Sequence, residues 1–98
     1  FVELDAAEAE ARVALSKEKD AVPIVARLST SLEKNKTLPA DQVARVLMVS
    51  AKVQWAMGAK AESAASATRA LELLRDLPLQ AKTLAAFQTW AGAHGVMP

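Results

Sequence analysis

Ninety-eight residues make one domain, and at 10.4 kDa without a cysteine its stability has to come from an apolar core rather than from cross-links. Hydrophobic residues are 52% of the chain, but 22 of them are alanine and only four are aromatic, which excludes a β-sandwich or barrel built on branched and aromatic strands. Twelve basic and eleven acidic side chains leave a net charge of +1, without the basic field on which nucleic-acid binding depends.

The spacing of apolar residues predicts about five helices, and a helix content above about 60%, against roughly 30–35% in an average domain. A first helix is expected from Glu3 to about Ser16, with acids at its start, Lys17 and Lys19 at its end, and a Glu8–Arg12 pair one turn apart. The second is expected from Ala21 to about Lys34, capped by Asp20, with Pro23 in its first turn and Ala21, Val25, Leu28 and Leu32 inward. Asn35-Lys36-Thr37 is a polar break that also has the form of a glycosylation acceptor, a tripeptide that commonly occurs unused. A third helix starts near Pro39 and stops at Gly58. It is apolar at Val43, Val46, Leu47, Met48, Val49, Val53, Trp55, Ala56 and Met57, too many directions for a helix covered on one side only. The fourth is expected from Ala59 or Lys60 to about Arg75, with Ala64, Ala67, Leu71 and Leu74 inward. The fifth is expected to be capped by Asp76, to carry Pro78 in its first turn, and to end near Ala91, before Gly92 and Gly95.

Short links between consecutive helices make them antiparallel neighbours. Residues 1–98 therefore form a single all-α domain, either a row of stacked helical hairpins or a closed helical bundle. The chain opens on Phe1 rather than methionine, so a processed form or a fragment of a longer protein is expected. Its acidic opening (Glu3, Asp5, Glu8, Glu10) is unlike a secretory signal. The longest uncharged run, Thr83 to Ala93, is short of the about 20 apolar residues that span a bilayer, so no membrane partner is expected.

Two internal echoes favour stacking. Ser31-Leu32-Glu33-Lys34 followed by Thr37-Leu38-Pro39 recurs 39 residues later as Ala70-Leu71-Glu72-Leu73 followed by Asp76-Leu77-Pro78. Gly58 recurs as Gly92 at a spacing of 34, with Trp55 and Trp90 near the same period. The segment from Leu47 to Leu73 resembles the tetratricopeptide repeat. Leu47 stands at its large first position, Ala51 and Ser63 at two small ones, Gly58 at the turn, and Ala70-Leu71-Glu72-Leu73 at its A-L-E-L run. The segment departs in having Gln54 and Ala67 where the family carries aromatics, and in its terminal proline, displaced to Pro78. The resemblance covers about half the chain.

No residues are grouped for catalysis. His94 is the only histidine, lies beyond the expected fifth helix and has no cysteine beside it, so no zinc site or phosphotransfer residue is expected, nor any cofactor. Asp41 and Arg45 are spaced as a second local ion pair. Arg45, Met48, Lys52 and Trp55 share one face of the third helix, away from the expected core face. The resemblance implies that this face lines a concave groove, to which Lys82 and Thr89 of the next repeat would add. Cations interleaved with Met and Trp suit an acidic-hydrophobic peptide, so a non-enzymatic protein-binding or scaffold module is expected. The alternative is a structural or oligomerisation bundle domain, with Trp55 and Met48 packed against neighbouring helices. The fifth helix is apolar along Leu79, Ala86 and Trp90 and again along Leu84, Phe87 and Ala91. The second line is expected to be covered by a second copy of the chain, a bound partner helix or a further repeat downstream, with Leu84, Phe87 and Trp90 as the residues of that face.

Overall fold

In the computed structural model, which describes residues 2–15, 17–34, 38–77 and 80–95, five α-helices follow one another and no strand occurs among those residues. They are α1 (Val2–Ala14), α2 (Glu18–Lys34), α3 (Ala40–Ala56), α4 (Lys60–Arg75) and α5 (Ala81–His94). The chain is all-α, as its composition requires. The Asn35–Thr37 tripeptide, Pro78 and Leu79 lie outside the described residues.

α3 is set by its two ends. Pro39 is its N-cap at φ −56, where the ring costs no helical hydrogen bond. At the other end Gly58 adopts φ 83 and donates to the Trp55 carbonyl (3.1 Å), while the Ala59 N–H reaches back to the Gln54 carbonyl (2.9 Å). That pair of bonds is a Schellman cap, which requires a left-handed residue at the position Gly58 fills.

Two helix starts differ from expectation. α2 begins at Glu18 rather than Ala21, which makes Pro23 an interior residue. Pro23 is exposed, and its ring, which has no N–H, leaves the carbonyl one turn back without a helical partner. α5 begins at Ala81 rather than after Asp76, which instead closes α4 by donating its N–H to the Leu73 carbonyl (3.2 Å). α5 also runs through Gly92 and stops at Gly95, whose φ of 71 provides the left-handed end.

Packing divides α3 between two cores. Ala44, Leu47 and Ala51 join Ala67, Ala70, Leu71 and Leu74 of α4 and Phe87 and Ala91 of α5. Val46, Val49 and Val53 join Ala9 of α1 and Ala21, Ile24, Val25 and Leu28 of α2. The two α3 sets are offset by two residues, which at 3.6 residues per turn puts them about 200° apart, on opposite sides of the helix. α3 is thus the middle element, touching α1, α2 and α4, as its many apolar directions predict.

The contact between α3 and α4 is the most extensive, and it is made by small side chains. Ala51, Ser63, Ala67 and Ala70 are all fully buried. Close approach allows the Ser63 hydroxyl to donate 2.6 Å to the Ala51 carbonyl, and the Ser66 hydroxyl to donate 2.8 Å to Gln54 Oε1. Gln54, standing where the resembled repeat has an aromatic, therefore clasps the hairpin with a polar bond instead of filling it.

Two substitutions test this arrangement by chemical denaturation. Ala70→Leu inserts three carbons into a fully buried contact and is expected to destabilise by about 1–3 kcal/mol through overpacking. Gly58→Ala meets no atom within 4 Å, so its expected cost, about 1–2 kcal/mol, is that of holding an alanine in the left-handed region alone.

Candidate functional site

A third stripe of α3 lies between the two core faces. Arg45, Met48 and Lys52 are each one residue beyond Ala44, Leu47 and Ala51, hence about 100° from one core and about 100° from the other. All three are half-buried, and Met48 packs against the edge of the core shared with α4 and α5. They form the floor of a groove with α1 on one side and α5 on the other.

The groove consists of two adjoining clefts. The larger, of about 290 Å³, has Met48, Val49 and Lys52 as its floor. Glu10, Val13 and Ala14 of α1 form one wall, and Thr83, Ala86 and Phe87 of α5 form the other. The smaller, of about 220 Å³, continues over Arg45 and Asp41, and shares Glu10, Met48 and Thr83 with the first.

The two cations of the floor differ in their surroundings. The Arg45 guanidinium donates to Glu10 Oε1 from Nε (3.0 Å) and from Nη2 (2.6 Å), with side-chain exposures of 36% and 42% for the two residues. Glu10 therefore holds α1 against α3. This pairing replaces the local Asp41–Arg45 pair expected from spacing, because α1 brings a carboxylate to the guanidinium from 35 residues away. Lys52 has no carboxylate of the described residues within ion-pair distance. The Glu8–Arg12 pair on α1 is present at 2.9 Å, and Arg12 also approaches Asp20 at the start of α2 (4.0 Å).

The remaining expected groove residues are dispersed. Trp55, half-buried, lies beyond the clefts and meets the edge of the His94 ring at 4.6 Å between centroids. His94 is the last residue of α5 rather than part of a tail, and its Nδ1 lies 2.7 Å from the Trp90 carbonyl. Its ring stacks on Trp90 at 4.7 Å, and Trp90 in turn stacks on Phe87 at 5.4 Å. Lys82 and Thr89 are exposed and line neither cleft. α5 lines the groove instead with Thr83, one position beyond Lys82, and with Ala86 and Phe87. The later start of α5 accompanies this shift, and the signal for it was the turn spacing of Thr83 to the aromatic Phe87.

The expected uncovered line of α5 is also corrected. Phe87 is 3% exposed in the core shared with α3 and α4, and Leu84 and Trp90 pack half-buried against the same core. α3 and α4 supply the cover that was expected from a second chain. The exposed face is instead Lys82, Ala85, Ala86, Thr89 and Ala93. Glu10 and Val13, which the sequence reading did not place in the groove, follow the buried Ala9 of α1 on the side turned toward α3.

Among the described residues no three or more His, Cys, Asp or Glu side chains come together as metal ligands, and no helix is long and apolar enough to cross a membrane. Compared with protein-family models, with curated proteins and with solved structures, the chain gives no match.

Phe87 is the anchor by which α5 closes the groove, so Phe87→Ala is expected to destabilise by about 3–5 kcal/mol in denaturant unfolding. Lys82→Ala, on the exposed face, is expected to stay within about 0.5 kcal/mol of wild type.

Proposed function

We propose that this chain is a non-enzymatic interaction module that holds a peptide segment of another protein in the groove over α3. The observation that carries this reading is the third stripe of α3. Two opposite faces of the helix are used in cores, while the face between them presents Met48 beside Lys52, which no carboxylate of the described residues reaches, and is walled by α1 and α5. A cation set among Met48, Val13 and Phe87 suits a segment that combines apolar side chains with a carboxylate, since the stem of Lys52 and the thioether adapt to the former and the ammonium pairs the latter.

The resemblance to tetratricopeptide repeats belongs to the same reading. What supports it is that α1, α3 and α5 line the larger cleft, with α4 adding only Leu74 to the smaller one, and that the α3–α4 hairpin closes on the small residues that carry the resemblance. A scaffold role follows by analogy with such modules.

A structural or oligomerisation domain is the second reading. It is favoured by the exposed face of α5, where Ala85, Ala86 and Ala93 are accompanied by a single charge, Lys82.

Selection of 12-residue peptides from a random display library on the full chain separates the two. The binding reading expects enriched peptides whose capture falls roughly tenfold or more with Lys52→Glu, while the melting temperature stays within a few degrees of wild type. Added salt should weaken the wild-type complex. Failure to enrich any peptide, together with a dimer in sedimentation, supports the second reading instead.

A further inference from the structure

Resting on the peptide-groove reading, we infer that the groove reads a dipolar segment, with an acidic residue over Lys52 and a basic residue over Asp41. These two side chains stand at opposite ends of one stripe of α3. Asp41, Arg45, Met48 and Lys52 fall at i, i+4, i+7 and i+11. Asp41 and Lys52 are therefore within about 20° of each other around the helix and about 16.5 Å apart along it. Lys52 lines the larger cleft and Asp41 the smaller.

The other charges of the groove are used within the chain. Glu10 gives one carboxylate oxygen to two nitrogens of the Arg45 guanidinium, and Arg45 has a further interaction besides. Both belong to the wall. Neither Lys52 nor Asp41 is in an ion pair or a side-chain hydrogen bond among the described residues. A ligand thus meets one uncompensated cation at one end and one uncompensated anion at the other. Asp41 is in the first turn of α3, where the half charge of the helix start offsets only part of its own.

The surroundings of the two ends suit opposite partners. Lys52 shares its cleft with Met48, Val13 and Phe87, so an acid arriving there brings apolar neighbours with it. Asp41 shares its cleft with Gln80 and Thr83, whose side-chain oxygens can accept hydrogen bonds, and with Leu74. An end rich in acceptors beside an apolar surface fits the head and the stem of an Arg or Lys side chain. Complementary charges at two separate places also fix the register of the segment.

The spacing sets a pattern. An extended chain rises about 3.3 Å per residue, so about 16.5 Å corresponds to about five residues. Successive side chains point to opposite faces, and an acid and a base that both face α3 therefore stand about four or about six residues apart.

The test selects 12-residue peptides from a random display library on the full wild-type chain, then pairs synthetic variants of the enriched peptide with variants of the protein. Wild type is expected to enrich an acidic and a basic position at that spacing, with apolar residues among them. Replacing the peptide's base by Gln is expected to weaken binding about two- to five-fold, and Asp41→Asn to weaken it equally. The two together should cost no more than either alone, as for groups that touch. Lys52→Gln and replacement of the peptide's acid should behave in the same way, whereas Asp41→Asn and loss of the acid should multiply. Enriched peptides without a basic position overturn the inference and leave the peptide-groove reading standing. So does a base whose replacement costs as much on Asp41→Asn as on wild type. If no peptide is enriched, that reading itself falls, and the inference with it. Should a protein variant fail to fold, wild type alone decides: replacing the base by Gln has to weaken binding, and no loss overturns the inference.

Discussion

Everything in this molecule depends on how one helix divides its circumference. α3 places Ala44, Leu47 and Ala51 against α4 and α5, and Val46, Val49 and Val53, on the opposite side, against α1 and α2. A helix buried on two opposed faces becomes a partition between two small cores, neither of which would be large on its own. The residue types follow the division. The α4 side is lined by small side chains such as Ala51, Ser63, Ala67 and Ala70, and the α1–α2 side by the valines Val46, Val49 and Val53. The groove is then a by-product of helical geometry, since a stripe one residue out of phase with both cores is only partly covered, by the edge of one core and the flanks of α1 and α5.

Polar contacts hold this arrangement in register. Ser63 bonds a carbonyl of α3 inside the tightest helix contact, a place where an unmatched hydroxyl would cost more than the bond gains. Arg45 and Glu10 fasten the first helix to the third across the mouth of the groove. Arg12 lies between Glu8 and Asp20 and joins the end of α1 to the start of α2. These ion pairs are partly exposed and contribute modestly to stability, so their effect is on where the walls of the groove stand rather than on whether the chain folds.

The sequence was informative where local chemistry decides and silent where tertiary pairing does. Pro39 and Gly58 announced both ends of α3, because a ring without an N–H and a residue free to take positive φ act through their immediate neighbours. The crowding of apolar residues on α3 announced a helix in the middle. α5 was harder. Asp76 and Pro78 have the form of a helix start, yet Asp76 serves the end of α4, and with alanine on nearly every side of α5 no single stripe stands out as the inner one. The line of Leu84, Phe87 and Ala91 turned inward because the bulkiest ring finds its cover between α3 and α4. The partner of Arg45 was likewise out of reach of spacing rules, which offered Asp41 one turn away and had no means of seeing a carboxylate on another helix.

The row of rings at the end of α5 gives the protein an optical property. Its two tryptophans both touch its one histidine, and they belong to different helices, α3 and α5. The near-ultraviolet signal of this chain, with no tyrosine to dilute it, thus originates almost entirely at a single joint. A spectrum that loses its fine structure reports the undocking of the last helix from the partition. Loosening of α1 and α2 leaves those chromophores in place, and has to be followed by a probe attached elsewhere.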